Sequence, residues 1–208
     1  MTKLLSYVVR YDSGFAPNPF FGYSTLATCK PDIRKSVKVG DWVVGTGSAA
    51  RDVNRGDHLV HAMRVTETID FRHYWTDERF KRKRPMRQGS RRQSCGDNIY
   101  YRSDDDCHWL QLPSFHAHPV EAIRQKHINR DTSVDRVLVS NEFYYFGGEG
   151  PMLPDEFRVQ GARSIVKRFS GMKRIDDANL ILDFAAWLRT LDDTGYCGRP
   201  RDWVLEDG

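Results

Sequence analysis

The stretch YWTDERFKRKRPMRQGSRRQSCGDNIYY, residues 74–101, concentrates residue types that can hold a polyanion. Between Arg79 and Arg92 it carries eight Lys or Arg and no acid. Cations of this kind meet phosphates, and that attraction supplies much of the affinity of proteins for nucleic acid. Aromatic faces can stack on splayed or flipped bases. Tyr74, Trp75, Phe80, Tyr100 and Tyr101 stand beside Arg79, Arg82, Lys83 and Arg84. We read the four cations as phosphate ligands, and Phe20, Trp42, Trp75 and Tyr100 as stacking faces, with Tyr74 beside them. Amides, hydroxyls and carboxylates read base edges, which points to Asn18, Ser48, Asp97 and Asn98, with Gln111 and Ser114 as further choices. A solvated cationic loop is the plainer reading of the same charges.

Three other groups of residues bear on chemistry. Gly45-Thr46-Gly47-Ser48 ends the run VGDWVVGTGS, and a Gly-rich turn at a strand end can bring backbone N–H groups to an anion or a base. The run lacks the spacing of a phosphate-binding P-loop. Cys95, Cys107, His108, His116 and His118 invite a zinc reading, but paired C-x2-C spacing is missing, so no metal and no cofactor is expected. Asp104-Asp105-Asp106 reads as a solvated hairpin turn. No nucleophile elbow, zincin or deaminase pattern is present, and no catalytic residue is assigned. If the protein were an enzyme acting on a nucleotide or base, Asp97, His116 or Asp12 would be its general base.

The elements that must position these residues read as strands first and helix last. LLSYVVRY (residues 4–11) is a buried strand. The loop that follows holds Phe15, Phe20 and Phe21. Residues 42–45, 58–70 and 136–146 read as strands, as do NIYYRS and HWLQLP. A short helix is expected at residues 74–80. In IDDANLILDFAAWLRTL the apolar residues fall at helical spacing, with Asp176 or Asp177 as the cap. The order predicts an α+β fold: a curved mixed sheet or small barrel with flanking short helices and a C-terminal helix. It fits a single domain over residues 1–208, with a core at about 4–170 and a helical extension at about 171–208.

Composition agrees. The chain has 208 residues, 39% hydrophobic and 29% charged, with net charge +4. The middle is basic and the last third carries Asp pairs, which argues for a local anionic partner. No run of 18 apolar residues exists, so neither a transmembrane helix nor a membrane partner is expected. The early charges at the N-terminus do not fit a secretory signal. Four separated cysteines read as reduced thiols, hence a cytoplasmic protein.

Several blocks, in order, carry a resemblance: YVVRYDSGFAPNPFFGYSTLATCKPDIR, VGDWVVGTGS, YWTDERFKRKRP, GDNIYY and VLVSNEFYYFGG. Together they resemble the nucleotide-modification-associated domain 2 family over residues of about 5–170. The resemblance implies a bacterial or phage setting in which modified bases are made or handled. More distantly, the strand, the aromatic Pro-containing loop and VGDWVVG are similar to the PUA-like superfamily, with its EVE and ASCH members. That likeness implies a small barrel with an aromatic pocket for a modified or flipped base. The pocket would be built by residues 11–21, 45–48 and 74–80.

The expected function is therefore a module that binds nucleic acid or a nucleotide, DNA being favoured, and recognises a modified base. The alternatives are the enzyme described above and a defence scaffold whose basic face binds an acidic protein.

Overall fold

The computed structural model describes residues 2–207 except 104, 106, 115, 116, 118, 160–163 and 170. In chain order the elements begin with β1 (Leu4–Val9), β2 (Ser24–Leu26), α1 (Pro31–Ser36), β3 (Trp42–Gly47), β4 (Leu59–Arg64), β5 (Glu67–Ile69) and α2 (Phe71–Thr76). They continue with α3 (Arg91–Ser94), β6 (Tyr100–Arg102), β7 (Trp109–Gln111), α4 (Glu121–Thr132), β8 (Val137–Ser140) and β9 (Glu142–Tyr145). The last are α5 (Asp155–Arg158), β10 (Met172–Ile175), α6 (Ala178–Arg189), β11 (Gly195–Tyr196) and α7 (Arg201–Asp207). Single 3-10 turns lie at Glu78–Lys83 and Gly147–Glu149. The class is α+β, as the order of apolar runs predicts.

The chain folds into two compact units. The first comprises Met1–Ser13, Val37–Thr66 and Ser140–Gly208, and the second comprises Gly14–Ser36 and Glu67–Val139.

The first unit is built on a six-stranded mixed sheet in the order β10-β1-β3-β4-β9-β11. β1 runs parallel to β3, with Leu4 opposite Trp42 and Val9 opposite Gly47. The sheet ends on β10 and β11, so it is open and not a closed barrel. Leu4, Trp42, Val44, Ala62 and Tyr144 share a core with Leu180, Ile181, Phe184, Ala185 and Leu188 of α6. That core is the physical result of the period-3.6 apolar spacing read in the sequence. Each Leu, Ile, Val or Phe side chain among them contributes roughly 1.5–3 kcal/mol when fully buried. Asp177 caps α6, its carboxylate accepting from the backbone N–H of Asn179 and Leu180.

The opposite face of this sheet carries a polar row. Register places Tyr7, Gly45, His61 and Tyr145 side by side on four successive strands. Gly45 has no side chain to separate its neighbours. The Tyr7 hydroxyl therefore reaches His61 Nε2 across it, at 3.1 Å. A Cβ at Gly45 would stand 2.7 Å from Val9 Cγ2. Tyr145 donates to Asp12 and stacks on Tyr196, centroids 5.8 Å apart.

The second unit holds a three-stranded sheet, β2-β8-β5, and a two-stranded ribbon, β6-β7. Its core unites Phe15, Phe71, Tyr74, Phe80, Ile99, Tyr100, Ile128 and Val137. The aromatic loop thus sends Phe15 into this core.

Three features differ from the expectations. The apolar run at 58–70 is two strands, β4 and β5, in different sheets, and the run at 136–146 divides likewise into β8 and β9. Polar residues sit at both breaks. The Ser140 hydroxyl lies 2.5 Å from the Arg64 carbonyl and accepts from Glu142 N–H at 3.1 Å. Past residue 171 the chain is not only helical, because β10 and β11 form the two ends of the six-stranded sheet. α4 was not expected: its buried residues are Ile128 and Asp131, too few to draw an apolar stripe.

Candidate functional site

The basic stretch folds as α2, a 3-10 turn and α3, and its cations have separate fates. In a 3-10 turn side chains at i and i+3 eclipse. Phe80 and Lys83 therefore point the same way, and both are fully buried. The Lys83 ammonium donates to Asn18 O at 3.0 Å, Asn18 Oδ1 at 2.6 Å and Tyr23 O at 2.9 Å. Those three acceptors match the three N–H bonds of a protonated amine. Burial pulls its pKa down to about 7, with the Asp97 carboxylate opposing. Lys83 was expected on a phosphate rim and is instead a structural pin.

Asp97, Asn98, Asn18 and Tyr74 complete this buried cage. Tyr74 donates to Asp97 Oδ1 at 2.6 Å and Thr25 donates to Oδ2 at 2.8 Å. Desolvation pushes the Asp97 carboxyl up, against the Lys83 charge and these hydrogen bonds. Asn18 Nδ2 donates to Cys95 O at 2.8 Å, and Asn98 Nδ2 to Tyr74 O at 2.8 Å. All are buried. Side chains expected on base edges here hold the chain together, because their polar groups are aimed at local carbonyls. Tyr100 is enclosed too and donates to Asp131 at 2.9 Å.

The remaining cations divide again. Arg79 makes paired hydrogen bonds with Glu67 at 2.8 and 3.0 Å and with Asp77 at 2.9 and 2.7 Å. These bonds raise its pKa, and they commit its donors within the protein. Lys81 pairs with Glu78. Arg82 is exposed and lies 4.5 Å from the Phe21 ring centroid. Arg84 packs 3.8 Å from the Trp75 centroid.

Trp75 belongs to a cluster of the second unit that sets aromatic rings beside cations. Tyr101 stacks on it, centroids 4.4 Å apart and planes at 16°. Two groups as close to one centroid as Tyr101 and Arg84 take opposite faces, so the indole is closed on both sides. A cleft of about 270 Å³ is lined by Arg72, Trp75, Thr76, Tyr101, Arg102, Ser103 and Trp109. Register pairs Arg102 with Trp109 across the β6-β7 ribbon, and its guanidinium lies 3.9 Å from that ring centroid. The Phe71 and Trp109 rings meet in a T-shaped contact, centroids 5.4 Å apart and planes at 73°. Arg72 and Arg102 are exposed, and among the described residues no carboxylate pairs with either. The cleft therefore combines π surface with uncompensated positive charge, which suits a base and its phosphate.

Sequence reasoning quoted Tyr101 but missed Arg72, Arg102 and Trp109. The available signal was the hairpin NIYYRS…HWLQLP, whose pairing places Arg102 opposite Trp109. Phe20 is buried in the second unit, and Trp42 lies edge-on to Phe184 in the core of the first. Gly45, Thr46 and Gly47 belong to β3 itself rather than to a turn beyond it. Ser48 follows, its hydroxyl accepting from Ala50 N–H at 3.1 Å.

Of the general-base candidates, Asp97 and Asp12 are engaged. Asp12 is buried, and its oxygens accept from Tyr145 and from Arg201 N–H. His116, His118, Asp104 and Asp106 lie outside the described residues. Cys95 is buried and Cys107 exposed. Among the described residues, no three His, Cys, Asp or Glu side chains gather as a metal site requires. No helix of the described residues is long and apolar enough to cross a membrane.

Fold and cleft together define an α+β protein with an aromatic, arginine-edged surface site. The chain belongs to the nucleotide modification associated domain 2 family, whose model matches residues 1–207. Comparison with curated proteins and with solved structures returned no match. Family membership associates the chain with nucleotide modification.

Proposed function

We propose that the protein binds a nucleotide or nucleic acid through the Trp75–Tyr101–Trp109 cleft, and that its ligand presents an unpaired base. The observation that carries this reading is the juxtaposition of Tyr101 and Trp109 with Arg72 and Arg102 around one cavity. The cleft-lining rings of Tyr101 and Trp109 support base binding, and the two arginines support a phosphate on the rim. A modified base in DNA is the preferred ligand, because the family is associated with nucleotide modification. In this reading Asn18, Tyr74, Asp97, Asn98 and Tyr100 support the site from beneath and do not touch the ligand.

Fluorescence polarisation with plain and modified-base oligonucleotides, single- and double-stranded, at two salt concentrations tests it. Arg72→Ala with Arg102→Ala is expected to weaken binding at least tenfold and to reduce the salt slope by up to about 2. Tyr101→Leu is expected to cost about 1–3 kcal/mol of binding, the usual worth of a stacked base. Binding that is unchanged in both variants would remove the cleft from the interaction.

A further inference from the structure

The first unit contains a groove that the nucleotide reading leaves unused. Its volume is about 300 Å³. The apolar wall is made by Trp42 of β3 and by Ile181, Leu182 and Ala185 of α6. Ile181, Ala185 and Trp42 are mostly buried, whereas Leu182 is 66% exposed. The charged side chains lining the groove are Arg64 and Arg189. Arg64 is held by Glu142 at 3.2 Å. Arg189 is exposed, and among the described residues no carboxylate pairs with it. An apolar trough thus runs beside one uncompensated guanidinium.

We propose that this groove binds an aliphatic carboxylate. The chain of such a ligand would lie against Trp42, Ile181, Leu182 and Ala185, removing their apolar surface from water. Its carboxylate would take the paired N–H groups of Arg189. A cationic or neutral head group would leave that arginine unmatched. The size of the groove favours a small ligand over a protein: about 300 Å³ is the lower end of the range for small-molecule sites. A stable protein partner covers roughly 800 Å² on each side. The exposed side of α6 is unsuited to that, since Asn179, Asp183 and Arg189 interrupt its apolar surface.

The test uses the full chain and decanoate labelled with ¹³C at the carboxyl carbon, kept below its micelle concentration. Decanol and decylamine serve as neutral and cationic controls. Saturable one-to-one binding of decanoate is expected, with a shifted carboxyl resonance and weaker binding of both controls. Arg189→Ala is expected to weaken decanoate at least tenfold while leaving decanol unchanged. Leu182→Glu, at an exposed position, is expected to weaken decanoate and decanol alike by setting a charge in the apolar wall that holds their chains. Circular dichroism melts of both variants verify that the fold is kept. Absence of saturable decanoate binding would overturn the proposal, as would equal affinity for the alcohol or no effect of Arg189→Ala. Binding of an acidic helical peptide at Arg189 without decanoate binding would overturn it in favour of a protein partner.

Discussion

His61 is completely enclosed, and burial lowers its pKa from 6.5 to about 4. Between these values the unfolded chain takes up a proton that the folded chain refuses. Stability from this group is therefore full above about pH 6.5 and falls as the pH drops toward 4. The difference amounts to about 3 kcal/mol. Urea unfolding across pH 4–7 should show the loss, and His61→Gln should flatten it; an unaltered slope in the variant would assign the effect to other groups. Lys83 makes a second residue-scale prediction. Lys83→Met removes the ammonium that donates to Asn18 O, Asn18 Oδ1 and Tyr23 O and strips Asp97 of its nearby cation. The expected cost is about 3 kcal/mol or more, measured by denaturant unfolding, whereas the exposed Arg82→Ala should lie within about 0.5 kcal/mol of the parent. Equal effects of the two would contradict the buried cage. Nothing in the run Lys81-Arg82-Lys83-Arg84 distinguishes these cations as letters. Only the 3-10 segment Glu78–Lys83 that follows Asp77 selects Lys83 for the interior, and the sequence carries no separate mark for it.

Elements built from apolar spacing were legible in the chain, and those built from tertiary pairing were not. β1 and α6 bury continuous or 3.6-spaced apolar residues, so their patterns announce them. α4 has no such stripe, and β5 is a half-buried three-residue strand, Glu67–Ile69, defined by its partner β8. The same distinction explains Gly45. As a letter it read as part of a turn that could bring backbone N–H groups to an anion or a base, but in the sheet it is the gap over which Tyr7 reaches His61. Gly45→Val should force its side chain into Val9 and separate Tyr7 from His61. The expected loss is about 1–3 kcal/mol, the usual cost of overpacking a core. A thermal melt checks it, and a melting temperature equal to the parent's would show that the row has slack.

At the scale of the molecule the chain passes between its two units at residues 13–14, 36–37, 66–67 and 139–140. Sequence reading took residues 1–208 as a single domain because the length suits one domain and no clear linker stands out in the chain. A fragment spanning residues 14–139 would hold all of the second unit together with β3 and β4. Both strands would then lack outer neighbours, since β1 and β9 lie beyond the cut. Unpaired strand edges recruit other chains. The fragment is expected to aggregate on expression, and size-exclusion chromatography would show it. A monodisperse, folded fragment would mean that the second unit does not depend on completing the first.

The fourfold passage has a consequence for inheritance. Neither unit is one continuous piece of coding sequence, so recombination cannot lend either to another protein as a cassette. A deletion of residues 37–66 removes two central strands of the first unit's sheet and joins Ser36 directly to Glu67 in the second unit. Lineages that carry this fold are expected to gain and lose length within loops, such as the connection from β6 to β7, while keeping both units together.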